Sequence, residues 1–302
     1  MTTLSQEALP LTLRHPSARV FVPDRLETKA ALQRITHLGL GAHQDDLEFM
    51  AFHGIQNCYR KKDQWFGGVT CTNGAGSART GRYASYTDEQ MQSVRVEEQD
   101  AAAVVGGYGI MIQLGYSSAE VKSPSETRLQ QDLFDILRLT QPEIVYTHNP
   151  ADKHDTHIGV VVGALQAMRE LPPSQRPRAV YGCEVWRNLD WLIDEEKVLL
   201  DLTGHDSLAM ALNSLFDSQI AGGKRYDLAV AGRHRANATF LDAHNTDTTS
   251  TIAYAMDLTP LVTDPDRDII DYVLGAIHRF EADVRRNLES KLGSASLEQR
   301  GF

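Results

Sequence analysis

The sequence predicts a doubly wound α/β fold: a mainly parallel sheet with helices on both faces, followed by an α-rich C-terminal extension. Three observations predict it. Short, continuous apolar runs alternate with helix-length segments between about residues 35 and 186, the pattern of βαβ units. The 302-residue chain is long enough to bury a full core under such a sheet. Hydrophobic residues make up 42% and charged residues 23%, ordinary globular usage that excludes disorder, collagen and a disulfide-scaffold mini-protein.

The elements follow in order. Residues 1–34 are mixed and polar, with Pro10, Pro16 and Pro23, and read as an N-terminal leader, or an arm packed on a neighbour, ending in a short helix near Leu26–Arg34. The rest, 35–302, reads as one domain, because no linker or internal repeat divides it. Ile35-Thr-His-Leu-Gly-Leu-Gly-Ala42 is a compact apolar run with turn chemistry after it, hence a buried strand. Leu47–Arg60 is helical. Trp65–Thr72 is a second strand running into a Gly-rich loop, Asn73–Tyr83. Thr87-Asp-Glu-Gln90 is a capping box that opens a helix to Gly106. Gly109–Gly115 is a third strand, Ser125–Thr140 a helix, Glu143–Thr147 a fourth strand, His157–Glu170 a helix and Arg178–Trp186 a fifth strand. The alternation then weakens. His205–Gly222 and Lys224–Ala236 read as helical, and Thr251–Leu261 as extended. Ile269–Leu292 is a long amphipathic helix whose stripe suits core or homo-oligomer packing. The whole is a Rossmann-like arrangement, in which ligands sit beyond the carboxyl ends of the strands.

Charge and cysteine usage narrow the function. Thirty Lys+Arg against 40 Asp+Glu give a net charge of −10, which argues against a nucleic-acid partner but not against a metal cation. Cys58, Cys71 and Cys183 are far apart and form no CxxC, as expected of reduced thiols in a cytoplasmic protein. The N-terminus lacks signal-peptide order, and no apolar run approaches the roughly 20 residues that span a bilayer, so no membrane partner is expected.

Two clusters carry the chemistry. Ala42-His43-Gln44-Asp45-Asp46-Leu47-Glu48 follows the first strand of the alternation, and Thr147–His157, containing His148, Asp152, His154 and Asp155, follows the fourth. Strands one and four of such a sheet are often neighbours at the switch point, so the clusters should face one crevice. His and carboxylate hold zinc where cysteine is absent, and a catalytic zinc keeps one position open. His43 with Asp46, and His154 with His157, are each three residues apart and can converge. Asp45 and Asp46, being adjacent, point apart, so only one need bind metal while the other holds water. A lone Asp at either turn would be read as a helix cap; two independent clusters point to a metal site. His148 is open between a packed core histidine and a supporting partner.

The first cluster resembles the AHPDDE signature of the PIG-L/LmbE family of zinc-dependent N-deacetylases. His154-Asp155-Thr156-His157 is similar to that family's second histidine element, Thr72-Asn-Gly-Ala-Gly76 to its loop after the second strand, and Arg95-Val-Glu-Glu98 to its RxxE helix. The resemblance covers about residues 35–190. It implies a zinc-dependent hydrolase that removes an N-acyl, typically N-acetyl, group from an amino sugar or its conjugate by metal-activated water. It implies His43, Asp46 and His157 as zinc ligands, Asp45 as general base, and His154 as the group that stabilises the oxyanion or supplies a proton. The chain departs from the pattern in three places: Gln44 replaces a proline, Leu47 is inserted before Glu48, and Thr156 stands where the family often has Asp. Asp152 or Asp155 would then supply the missing charge to His154.

Three arginines are candidate substrate contacts: Arg79 and Arg82 on the Gly-rich loop, and Arg95, which is open between a plain ion pair with Glu98 and a role in orienting the metal-site loops. Arg233-His234-Arg235 is a basic knot, either a grip on an acidic substrate group or a solvated or subunit-contact face; Ala243–Asp247 is a polar stretch that either reaches the site or, as the plainer reading, is solvated. A nucleotide-binding oxidoreductase is disfavoured, because Asp45 and Asp46 would meet the pyrophosphate at a helix N-terminus. The rival readings are a metal-dependent hydrolase of another bond, and a non-catalytic sugar-binding member of the family.

Overall fold

The structure, a computed structural model, describes residues 11–292. The first ten residues of the expected arm, and the chain beyond 292, lie outside them. In chain order the elements are β1 (Arg19–Phe21), α1 (Thr28–Gln33), β2 (His37–Gly41), α2 (Asp46–Met50), α3 (Phe52–Cys58), β3 (Phe66–Thr72), α4 (Asp88–Gly106), β4 (Ile110–Tyr116), α5 (Ser118–Val121), α6 (Thr127–Thr140), β5 (Ile144–His148) and α7 (Asp155–Glu170). They continue with β6 (Ala179–Cys183), β7 (Lys197–Asp201), α8 (Asp206–Ser214), α9 (Asp217–Ala221), α10 (Tyr226–Phe240), β8 (Ile252–Asp257), α11 (Thr259–Thr263) and α12 (Ile269–Leu292).

The strands form one sheet of eight, in the order β1-β4-β3-β2-β5-β6-β8-β7. β4, β3, β2, β5 and β6 are parallel; β1 and β8 run antiparallel to their neighbours β4 and β6. Side chains alternate across the sheet, as strand geometry requires. Ile110, Ile112 and Leu114 face a core shared with α6 and α7, while Met111 faces a second core with Phe52, Ile55 and Ala102. Helices therefore cover both faces. Gly39 allows the second core its closeness, since a Cβ there would stand 2.7 Å from the Phe66 ring and 2.8 Å from Leu47.

The expected order of strands and helices holds from residue 35 to 183, and β2 and β5 are neighbours at the switch point. Three readings are corrected. The arm is not merely a leader, for residues 19–21 add an edge strand to β4, and Arg14 donates to the buried carboxylate of Asp132, which also accepts the Tyr116 hydroxyl at 2.6 Å. The fifth strand ends at Cys183, so residues 184–187 are loop. The stretch from Thr251 divides into a strand and a helix, and Lys197–Asp201 is a strand that sequence periodicity does not reveal. No described helix is long and apolar enough to cross a membrane.

Candidate active site

The turn after β2 is built around one carboxylate oxygen. Asp46 Oδ2 accepts the backbone N–H groups of Ala42 at 3.1 Å and His43 at 2.7 Å, which curls the chain into α2. This places Asp45 at φ +94°, a left-handed backbone that Asp tolerates better than most residues. The Asp45 N–H donates to Gln99 Oε1 at 3.1 Å, and its carboxylate Oδ2 accepts from Arg95 at 2.9 Å. Arg95 is 1% exposed and also donates to Glu98 at 2.9 Å and to the Gln44 carbonyl. Both readings of Arg95 therefore hold at once: it pairs with Glu98 and it fastens the turn that carries Asp45.

The turn after β5 brings the second cluster in. His43 Nδ1 lies 3.2 Å from Asp46 Oδ2 and 3.3 Å from His157 Nε2, and His157 Nε2 lies 3.5 Å from Asp46 Oδ2. Ligands at about 2.0–2.1 Å from a tetrahedral zinc stand about 3.3 Å from one another, so this donor set fits such an ion. His157 Nδ1 is 3.0 Å from Asp152 Oδ2. A carboxylate there keeps the proton on Nδ1 and turns the Nε2 lone pair toward His43 and Asp46, the usual support of a metal-binding histidine. Asp152 thus hydrogen-bonds His157, while its charge also reaches His154, and Asp155 is exposed.

Two more histidines are close. His148 Nε2 is 3.4 Å from Asp46 Oδ2 and 2.9 Å from the backbone nitrogen of Ala42, whose N–H it accepts. It supports the turn. The His154 ring is 4.9 Å from that of His43 and 4.6 Å from that of His157, and its buried Nδ1 has no partner among the described residues. On geometry alone two further candidate ligand sets exist, His43 with His154 and His157, and Asp46 with His148 and His157.

Electrostatics separate the two aspartates. Burial pushes the Asp45 carboxyl up to about 7, against the pull of Arg95 and with the help of neighbouring Asp46. Burial also opposes charge on Asp46, but the facing rings of His157 and His148 and its hydrogen bonds hold it well below the usual range. Burial lowers His157 to about 4, which keeps it in the neutral form a ligand needs. Burial and His43 lower His154 as well.

His43, Asp45, Asp46, Arg95 and His154 line a cavity of about 560 Å³. The Gly-rich loop borders it through Gly74, Gly76, Ser77 and Ala78. Gly74 is required there, with φ +75° and a notional Cβ 2.8 Å from Arg95 Cβ. The loop's arginines point elsewhere: Arg79 holds the Ala75 carbonyl at 2.6 Å and Asp88, and Arg82 holds Asp217. Neither lines the cavity; Arg95 does, with its guanidinium paired to Asp45. The far wall comes from residues the sequence did not single out, Trp186, Lys224 and Tyr226, together with Arg233 and His234 of the basic knot. Ala243–Asp247 lies in an exposed loop away from it.

Behind Asp45 lies Glu48, 1% exposed, accepting from Tyr108 at 2.6 Å and Gln99 at 2.8 Å. Burial pushes its carboxyl up from an ordinary 4.5 to about 7. Between those values the folded protein holds a proton that the unfolded chain has released. This contribution to stability is therefore present below about 4.5 and is lost as the pH rises through about 7. Glu48→Gln, which cannot titrate, is expected to gain on the wild type by up to about 3 kcal/mol between pH 5 and pH 8. Urea denaturation at both pH values checks this; a difference that does not change with pH would contradict it.

The family model described as PIG-L, GlcNAc-PI de-N-acetylase, matches residues 38–168. No curated protein matches the chain. Among solved structures, the N,N'-diacetylchitobiose deacetylase from Pyrococcus horikoshii is similar at a TM-score of 0.58 and 15% identity, over 78% of this chain and 88% of that one. The 4-carboxy-2-hydroxymuconate hydratase GalB from Pseudomonas putida superposes at 0.55 and 18%, over 75% and 96%. The zinc-inhibited form of the teicoplanin deacetylase Orf2 superposes at 0.54 and 12%, over 74% and 97%. At these identities the likeness is one of fold.

Proposed function

We propose that this chain, whose residues 38–168 are a PIG-L family segment, is a metal-dependent N-deacetylase of amino sugars or their conjugates, with zinc as the metal. The observation that carries the reading is the pairing, at one switch point, of a three-ligand donor set with a separate buried carboxylate beside it. Binding alone would need no such base. Deacetylases among the structural relatives add support.

In this reading His43, Asp46 and His157 hold the metal, which when bound polarises the amide carbonyl and lowers the pKa of water. Asp45 takes the proton of the attacking water through the carboxylate oxygen that Arg95 leaves free. Arg95 and Gln99 keep that oxygen in place by holding the side chain and the backbone of Asp45. His154, neutral at pH 7, donates an N–H toward the oxygen of the tetrahedral adduct. The proton gathered by Asp45 then goes to the departing amine. Three buried free thiols, Cys58, Cys71 and Cys183, agree with a reducing, cytoplasmic location.

The test is mass spectrometry of products from a panel of N-acyl amino sugars, with metal content measured on the same preparation. Acetate and free amine are expected from at least one sugar, abolished by chelator and restored by zinc. Because the teicoplanin deacetylase Orf2 has a zinc-inhibited form, restoration is assayed with a series of divalent ions. Chelator-resistant activity, or no amine from any sugar, would overturn the reading.

A further inference from the structure

Part of the cavity wall lies outside residues 38–168, the segment that the family model matches. Trp186 belongs to that part. The indole is 38% exposed, 6.1 Å from the His154 ring and 6.1 Å from the Tyr226 ring, which it meets edge-on. Its position is not left to a loose loop. Asp152, the carboxylate that orients His157, accepts the backbone N–H groups of Trp186 at 3.3 Å and Arg187 at 3.1 Å. Two cations share the cavity with the indole. Lys224 Nζ stands 5.5 Å above its ring, and Arg233 donates to the carbonyl of Val185, the preceding residue. Neither cation has a carboxylate within ion-pair distance among the described residues.

Every carboxylate in the cavity is otherwise engaged. Asp45 is held by Arg95, Asp46 by the histidines and the turn. Glu184, the acid closest to Arg233 in its influence, is 3% exposed and accepts from Asn237 at 2.5 Å and from the Tyr254 N–H at 3.1 Å, and burial pushes its carboxyl upward. In a protein of net charge −10, two cations without a carboxylate partner among the described residues line the cavity that holds Trp186 and the candidate oxyanion histidine, Lys224 over the indole and Arg233 on the carbonyl of the residue before it. An aromatic face suits the C–H face of a pyranose, and a guanidinium and an ammonium suit an oxyanion.

We propose that Trp186, Lys224 and Arg233 form an oxyanion subsite, so that the preferred substrate is an N-acyl amino sugar carrying a phosphate or carboxylate away from its acyl group. This rests on the amino-sugar reading above. It deepens that reading by adding charge to the substrate class.

The test is calorimetric binding to the zinc-loaded protein, which needs no turnover. The probes are glucosamine, glucosamine 1-phosphate, glucosamine 6-phosphate and muramic acid, run beside acetate release from their N-acetyl forms. At least one charged probe is expected to bind about tenfold tighter than glucosamine. The advantage should shrink severalfold in Lys224→Met and in Arg233→Met, and as salt is raised. Preference for the two phosphates or for muramic acid tells which oxyanion is read. Equal binding of neutral and charged probes by the wild type overturns the subsite, even if acetyl groups are released. An advantage that survives both substitutions overturns it too, by placing the anion elsewhere. Charged probes bound preferentially without any acetyl release would leave the subsite standing and defeat the deacetylase reading instead.

Discussion

His157→Ala is expected to lose metal first and activity as a consequence. Its Nε2 sits 3.3 Å from His43 Nδ1 and 3.5 Å from Asp46 Oδ2, and its Nδ1 is fixed by Asp152. Losing a supporting partner of a ligand costs about 10–100-fold in metal affinity, so losing the ligand itself should exceed about 100-fold. Excess zinc should restore part of the activity. His154→Ala is the companion, since its ring lies as close to the cluster as the ligands do. With Nδ1 free of partners and no carboxylate behind it, His154 is expected to act on the reacting carbonyl. Its loss should leave metal and KM nearly unchanged and lower kcat by about 10²–10³. Zinc titration and single-turnover rates on both variants decide the matter. Equal loss of metal would make His154 a ligand and leave the oxyanion to another group.

Asp45→Asn is expected to keep the metal and lower kcat by about 10²–10⁴. The substitution is chosen for the backbone. Asn tolerates φ +94° as Asp does, and its amide oxygen can still accept from Arg95. What is removed is the ability to accept a proton. Asp45→Ala would mix that loss with backbone strain and a stranded Arg95 charge. Metal content by elemental analysis, measured with kcat, checks the result; loss of metal along with activity would exchange the roles of Asp45 and Asp46.

Much of this site was legible in the sequence because its chemistry is local. His43 to Asp46, and His154 to His157, are three-residue spacings in turns, and the strands before them are continuous apolar runs that periodicity identifies. Their meeting depended on one topological rule, the adjacency of β2 and β5. Other features depend on pairing over long distances. β1 is three residues with no alternation to read, and it is a strand only because β4 offers an edge. β7 exists by its antiparallel register with β8, 50 or so residues away. Asp152 was noticed for its charge, yet its partner follows from where α7 turns His157. Trp186 looked like the end of a strand and stands on a loop, because Asp152 takes its backbone N–H. The arginines of the Gly-rich loop were conspicuous in sequence and are spent on Asp88 and Asp217.

That Asp152 carboxylate has a consequence for how such a protein diversifies. The two histidine and aspartate clusters lie before residue 168, while much of the cavity wall beside them is drawn from residues 184–234. The two are separable inheritances joined at one side chain. An insertion or exchange of sequence beyond the fifth parallel strand can present new surfaces to the same metal cluster, provided two consecutive backbone N–H groups still return to Asp152. Lineages sharing this core would then differ in what they recognise far more than in what they do to it, and their histories would be written in the second half of the chain.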